Sequence, residues 1–135
     1  MKTLALLIGL ISLVVQVEPV NYIGKTKSEI ISLMQKNNPG FDLDEGAVNT
    51  TYKYIKFVDK YNEETYLFFL NEKDECTFTK LMSDYSNMKL RTAELDKMYK
   101  KAGDTKWIYV EKGTVYIIEL IKEEWYFTIL MKKKK

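Results

Sequence analysis

Two segments of this chain, Tyr66–Met82 and Tyr116–Met131, follow the same residue pattern, with one single-residue offset in a central polar turn. A pattern written twice along one chain predicts a tandem repeat. In such a repeat, the second half of the chain forms the same structural unit as the first half. The matched positions are Tyr66 with Tyr116, Leu70 with Leu120, Lys73 with Lys122, Glu75 with Glu124, Phe78 with Phe127, Leu81 with Leu130 and Met82 with Met131.

Each half contains three strand-like runs that are rich in aromatic and β-branched residues and are separated by short polar turns. Connections this short favour antiparallel meanders. The middle run, Tyr66–Leu70, is apolar at every position, which is typical of a strand covered on both faces. The six predicted strands are Tyr52–Val58, Thr65–Leu70, Cys76–Met82, Lys106–Val110, Thr114–Ile121 and Trp125–Met131.

A helix is predicted before each meander. The first covers Lys27–Lys36, where Thr26 and Glu29 have the spacing of a capping box. The second covers Thr92–Ala102 and stops at Gly103. Its apolar stripe, at i, i+3, i+4 and i+7 spacing, consists of Leu95, Met98, Tyr99 and Ala102.

These elements predict an α+β fold with about six strands in one sheet and both helices on one face. The domain spans residues 21–131 and contains two repeats, about 24–83 and 90–131. A half of roughly 50 residues is too small to bury an adequate core alone, so we expect the halves to fold as one unit.

The N-terminal segment Met1–Val20 has the features of a secretory signal peptide: Lys2 precedes the apolar run Leu4–Val15. The run is too short to cross a bilayer core of about 30 Å. We therefore expect export to the periplasm or beyond. An uncleaved anchor and a buried N-terminal strand or helix remain alternatives.

Composition restricts the chemistry. The formal net charge of +2 does not suit a strongly basic nucleic-acid binder, and no histidine is present for acid–base catalysis or common zinc sites. The single Cys76 is expected to be a buried hydrophobe rather than a nucleophile. We expect no enzyme activity and no cofactor. The basic tail Lys132–Lys135 is expected to be a solvated end, with weak contact to anionic membrane as the alternative.

The predicted loop Phe41–Thr50 contains Asp42, Asp44 and Glu45, but Ala47 and Lys53 occupy the positions of the glycine and the bidentate glutamate of a calcium loop. We therefore expect a solvated acidic turn and no metal. Asn49-Thr50-Thr51 matches a glycosylation sequon, which matters only in a host that glycosylates exported proteins.

Helices on one side of the sheet leave the other face as a candidate binding surface. We assign Ile55, Phe57, Leu67, Phe69, Ile117 and Ile121 to the helix-covered face, although the two assignments can be exchanged. Exposed Tyr and Trp offer a large contact area at low entropic cost. The candidate binding residues are Tyr52, Tyr54, Tyr66, Phe68, Trp107 and Tyr116.

The segment Gly24–Ile30, GKTKSEI, resembles the G-x-T-x-x-E-(hydrophobic) opening of the SmpA/BamE family of small envelope proteins, where it begins a helix before a three-stranded meander. The duplicated helix-plus-meander unit also resembles the β-lactamase-inhibitor-protein-like fold, whose members present a concave sheet face to a protein. These resemblances imply an exported bacterial binding module without catalysis. The chain departs from both families: it has no lipidation cysteine, and its one cysteine cannot form the inhibitor's disulfides.

The sequence therefore predicts a binding or assembly module that meets a protein partner in the cell envelope through an aromatic sheet face. One alternative is a homodimer in which that face is the dimer core. A small-ligand carrier, with a pocket between helix and sheet, is another.

Overall fold

The computed structural model of this protein describes residues 19–46 and 53–135, and it confirms an α+β fold with one antiparallel sheet and two helices. The predicted N-terminal signal segment lies almost wholly outside the described residues, as do Tyr52 and the sequon. The strand order in the sheet is β1-β2-β3-β4-β8-β7-β6-β5. The elements are α1 Lys27–Asn37, β1 Asp42–Leu43, β2 Tyr54–Asp59, β3 Glu64–Leu70, β4 Cys76–Ser83, α2 Met88–Met98, β5 Lys100–Gly103, β6 Lys106–Glu111, β7 Thr114–Lys122 and β8 Phe127–Lys133.

Within the described residues the sheet has eight strands, where about six were predicted. The short β1 forms inside the predicted loop Phe41–Thr50, where Leu43 pairs with Phe57. Strand β5 takes the place of the last turn of the second predicted helix. That helix ends earlier because Tyr99 is extended and the following residues pair with β6, so tertiary pairing overrides local helical periodicity.

The central pair β4–β8 joins the two halves of the sheet. Its ladder runs antiparallel from Phe78 opposite Lys132 to Ser83 opposite Phe127. The first half supplies α1 and β1–β4, and the second supplies α2 and β5–β8. Both halves therefore share one continuous hydrogen-bonded layer.

Both helices pack on the same face of this layer. Ile30 and Met34 of α1 are fully buried in a core under the first half, and Leu95 of α2 is buried in a core under the second. Ile129 of β8 packs against both cores. The two cores are therefore continuous, and the covered face extends across the sheet centre.

The first helix begins where its capping box predicted. Thr26 Oγ1 accepts a hydrogen bond from the backbone N–H of Glu29 at 3.4 Å, and the Thr26 N–H donates to the Glu29 carboxylate at 3.1 Å. Each side chain thus satisfies a backbone N–H that the helix leaves unpaired. The helix runs to Asn37, one residue past its predicted end.

Strand β4 contains an irregularity that changes which face its first residues meet. Phe78 pairs with Phe69, but Cys76 pairs with Leu70, so Thr77 is an extra residue in the ladder. A bulge of this kind reverses the alternation of side chains. Cys76 therefore joins the core under the first half while Phe78 lies on the other face, although regular alternation would put residues two apart on one face.

A buried ion pair links α2 to the first half. Arg91 donates to both carboxylate oxygens of Glu64 in β3, at 2.5 and 2.8 Å, and Ser83 Oγ donates to the same carboxylate at 2.8 Å. Burial is the largest single influence on the pKa of Arg91 and lowers it. The bonds and charges of Glu64 and Glu94 together outweigh burial and raise that pKa above its ordinary value. The Arg91 guanidinium therefore remains charged at any ordinary pH.

We expect Arg91→Met to lower the free energy of unfolding by about 2 kcal/mol, because it leaves the Glu64 carboxylate buried without its cation. Urea denaturation measures the change. The double variant Glu64→Gln/Arg91→Met is expected to be more stable than the single variant, since it removes both charges. An Arg91→Met protein with an unchanged midpoint would show that the pair contributes nothing.

Candidate functional site

The structure does not bring the predicted binding residues onto one surface. Phe68 and Trp107 are fully buried under the helices, Tyr116 is buried, and Tyr66 is part of the same covered face. Of the five predicted residues that the structure describes, only Tyr54 lies on the opposite face, half-buried beside Phe69.

The predicted binding residues lie on different faces because of the register in which the strands pair. Residues directly opposite in an antiparallel pair share a face, and Ile55 lies opposite Phe68, not Leu67. The prediction that Ile55, Leu67 and Phe69 share a face is therefore wrong. A one-residue change in the alternation along a strand moves every side chain to the other side.

The face opposite the helices is the candidate functional site, and we call it the open face. Its apolar side chains are all half-buried or exposed, and no helix within residues 19–46 and 53–135 lies over it. A contiguous apolar surface on a folded protein commonly marks an interaction site. Its apolar residues are Tyr54, Val58, Leu67, Phe69, Phe78, Met82, Ile108, Val110, Val115, Ile117, Ile121 and Leu130.

Aromatic rings are stacked on the first half of the open face. The rings of Phe69 and Phe78 are nearly parallel, with centroids 4.4 Å apart, and Tyr54 lies against Phe69 at 5.9 Å. The Lys80 ammonium lies 5.8 Å from the centroid of Phe69. Because these rings hold one another in place, a partner that contacts them immobilises little new side-chain freedom.

The charged side chains of the open face are mostly basic. Lys80 and Lys132 belong to the two central strands, and Lys106 lies opposite Glu119. Lys56 is 3.4 Å from the Asp44 carboxylate. The centre of the face is therefore positively charged.

A turn beyond one end of the face exposes a further aromatic group. The Trp125 side chain is 80% exposed and Tyr126 is 39% exposed. The hydroxyl of Tyr85 donates to the backbone carbonyl of Glu123 and fixes the base of this turn. Sequence analysis placed Trp125 inside a strand, but β8 begins at Phe127. The glutamates at positions 123 and 124 next to it were the signal for a turn.

A cavity of about 920 Å³ lies on the other side of the sheet, between the helices. Its walls include Tyr22, Tyr66, Tyr99 and Arg91. Burial raises the pKa of Tyr22 and of Tyr99 to about 12, and it also raises the pKa of Tyr66. These phenols are protonated at neutral pH, so they can donate hydrogen bonds but cannot act as bases.

The carboxyl groups with shifted pKa values do not suit general acid catalysis. Hydrogen bonds from Thr26 lower the pKa of Glu29, those from Asn62 lower the pKa of Asp59, and those from Ser86 lower the pKa of Asp84. A general acid at neutral pH needs the opposite shift.

The acidic loop is tied to the sheet. Asp44 accepts a hydrogen bond from the Gly46 N–H at 3.1 Å, and its own N–H donates to the Lys56 carbonyl at 2.8 Å. In the part of the chain that the structure describes, no three Asp, Glu, Cys or His side chains are placed to hold a metal ion. Nor does that part contain a helix with the length and apolar content needed to cross a membrane.

Cys76 is buried in the core, and burial raises the pKa of its thiol to about 12. We therefore expect iodoacetamide to modify native Cys76 very slowly at pH 8, where only about one thiol in ten thousand is ionised. Mass spectrometry follows the reaction, and the same protein in urea is the control that should react fast. Equal rates in both conditions would show that the thiol is accessible and reactive.

No protein-family model, curated protein or solved structure matches this chain. The resemblance of Gly24–Ile30 to the opening of the SmpA/BamE family, and of the whole fold to the β-lactamase-inhibitor-protein-like proteins, therefore stays a prediction. What is established, for residues 19–46 and 53–135, is the α+β architecture with one antiparallel sheet and two α-helices.

Proposed function

We propose that this protein is an exported, non-enzymatic binding module that holds a protein partner against its open face. The observation that carries the proposal is the one-sided cover of the sheet: both helices pack on one face, and the apolar residues of the other remain in contact with water. Burying such a surface releases about 25 cal/mol per Å² of apolar area. Because folding leaves the apolar residues of the open face in water, the free energy of burying them is still available for binding a partner.

A different protein is favoured over a second copy of the chain by the charge at the centre of the face. Lys80 lies opposite Leu130 and Lys132 lies opposite Phe78 on adjoining strands. A two-fold dimer places the same patch of both subunits together. A dimer centred on β4 and β8 would confront four ammonium groups in an apolar interface, which is costly. The homodimer is the competing proposal.

The remaining parts of the proposal rest on the sequence. Export rests on the segment Met1–Val20 and on the resemblance of Gly24–Ile30 to an envelope family. Duplication of an ancestral unit is supported by the matched segments around Tyr66 and Tyr116. It is also supported by the occurrence, among the described residues, of one α-helix before four strands in each half. The matched Phe78 and Phe127 do not share a face, so that part of the alignment gives no support.

Photo-crosslinking in the host cell tests the proposal directly. With p-benzoylphenylalanine at Leu67 or Ile117 on the open face, we expect adducts with one protein, seen as a band heavier than this chain. These two positions lie within the surface proposed to contact the partner. The same label at Ser32 or Gln35, exposed on α1, is the matched control and should give none. If the open-face labels give only adducts of twice the chain mass, the homodimer is established. If neither Leu67 nor Ile117 gives an adduct when labelled, both the protein-partner proposal and the homodimer proposal are contradicted.

Two adjacent isoleucines provide a matched pair of substitutions. Ile117 is half-buried on the open face, and Ile118 is 1% exposed under α2. We expect Ile117→Asp to abolish crosslinking from position 67 while changing the free energy of unfolding by about 1 kcal/mol or less. Ile118→Asp should destabilise the fold by more than about 3 kcal/mol, because it buries a charge. Urea denaturation and crosslink yield separate the two effects, and unchanged crosslinking by Ile117→Asp would remove this face from consideration.

A further inference from the structure

The two central strands separate at one end of the sheet. Their ladder stops at Phe78 opposite Lys132. Beyond that pair, the Cys76 N–H donates to the Lys25 carbonyl and the Cys76 carbonyl accepts from Gly24, at 2.9 and 2.7 Å. The segment before α1 thus replaces β8 as the neighbour of β4.

The end of β8 follows β7 instead. Lys133 lies opposite Tyr116, and the Lys134 N–H donates to the Val115 carbonyl at 2.8 Å. The backbone of the basic tail is therefore held by hydrogen bonds almost to its end, while the residues Lys132–Lys135 are exposed, as predicted for a solvated end. Two segments that are each bonded to a different strand leave a gap between them.

That gap is a pocket of about 660 Å³, within the range of small-molecule sites. Its apolar surface comes from Ile23, Phe78 and Leu130. Gly24 forms part of one wall of the pocket. A Cβ added at Gly24 would meet no atom within 4 Å, so the space next to this residue is open.

The charge around this pocket is strongly one-sided. Five lysines contribute to its lining and the only acidic side chain among the described lining residues is Glu75. An apolar surface ringed by ammonium groups is complementary to a molecule with an apolar body and an anionic head. The lysines are Lys80, Lys132, Lys133, Lys134 and Lys135.

We propose that this pocket, at the end of the sheet where β4 and β8 diverge, binds an anionic amphiphile, with the chain on Phe78 and Leu130 and the head among the tail lysines. The proposal does not depend on the protein-binding role of the open face, although Phe78, Lys80, Leu130 and Lys132 belong to both sites. A carboxylate or phosphate head can belong to a free amphiphile or to a lipid in a bilayer, and both present the same chemistry to the pocket.

Titration calorimetry with laurate below its micellar concentration tests the proposal on the full chain. We expect saturable binding of laurate, and binding at least about tenfold weaker for dodecyltrimethylammonium, which has the same chain length and the opposite charge. Raising the ionic strength from about 0.05 M to about 0.5 M should weaken laurate binding, because the lysines are exposed. Equal affinity for the two detergents would overturn the proposal, as would no binding of laurate together with no binding to anionic vesicles.

Two sets of variants locate the site. The variant Lys133→Gln/Lys134→Gln/Lys135→Gln, which leaves Lys132 of the open face unchanged, is expected to weaken laurate binding about tenfold. Leu130→Asn should also weaken it, by removing the apolar floor. Lys27→Gln/Lys36→Gln/Lys89→Gln, on the exposed helix surfaces, is the charge-matched control and should have no effect. If both triple variants lose affinity equally, binding is a general response to net charge and the proposal fails.

Sedimentation with vesicles separates the two sources of the ligand. If the protein binds vesicles of phosphatidylglycerol and phosphatidylcholine and the tail variant does not, the anionic head group belongs to a membrane lipid. Laurate binding without vesicle binding assigns it to a free amphiphile. The crosslinks from position 117 should survive in the tail variant, so failure of this pocket is distinguishable from failure of the protein-binding proposal.

Discussion

The backbone pairing of β4 with β8 is the interaction on which the rest of the structure depends. In the part of the chain that the structure describes, neither half has a helix on both sides of its strands, and each half would be marginal alone. The shared ladder aligns the two covered faces, so that Ile129 contacts the cores of both halves. Because the alignment is continuous, the uncovered faces also merge, and one large open face results.

Contacts across the halves fix α2 over the sheet centre. Arg91 of α2 binds Glu64 of β3, and the Asn87 side chain at the start of that helix donates to the Asn62 carbonyl at 2.8 Å. Both bonds run from the second half to the first. A helix held this way stays on its own side of the sheet, so among the described residues no helix covers the opposite face.

The two ends of the sheet offer different chemistry. The turn at Trp125 presents exposed aromatic surface, whereas the end at Lys132–Lys135 presents ammonium groups around an apolar pocket. The open face lies between them, with lysines at its centre. A partner that spans the face would contact aromatic, aliphatic and basic regions in that order. The two ends of the surface are therefore chemically different.

The sequence by itself determined the elements with strong local signals. The capping box at Thr26 placed α1, and the turns between apolar runs placed the six long strands, because these depend on neighbours in the chain. Only the tertiary structure decided which face each strand presents, since Ile55 shares a face with Phe68 through pairing register and Phe78 changes face through a bulge. The added strands β1 and β5 likewise exist only because a neighbouring strand supplies their hydrogen bonds. Alternation along a strand fixes which residues go together but not which side is covered, and that choice requires the helices to be in place.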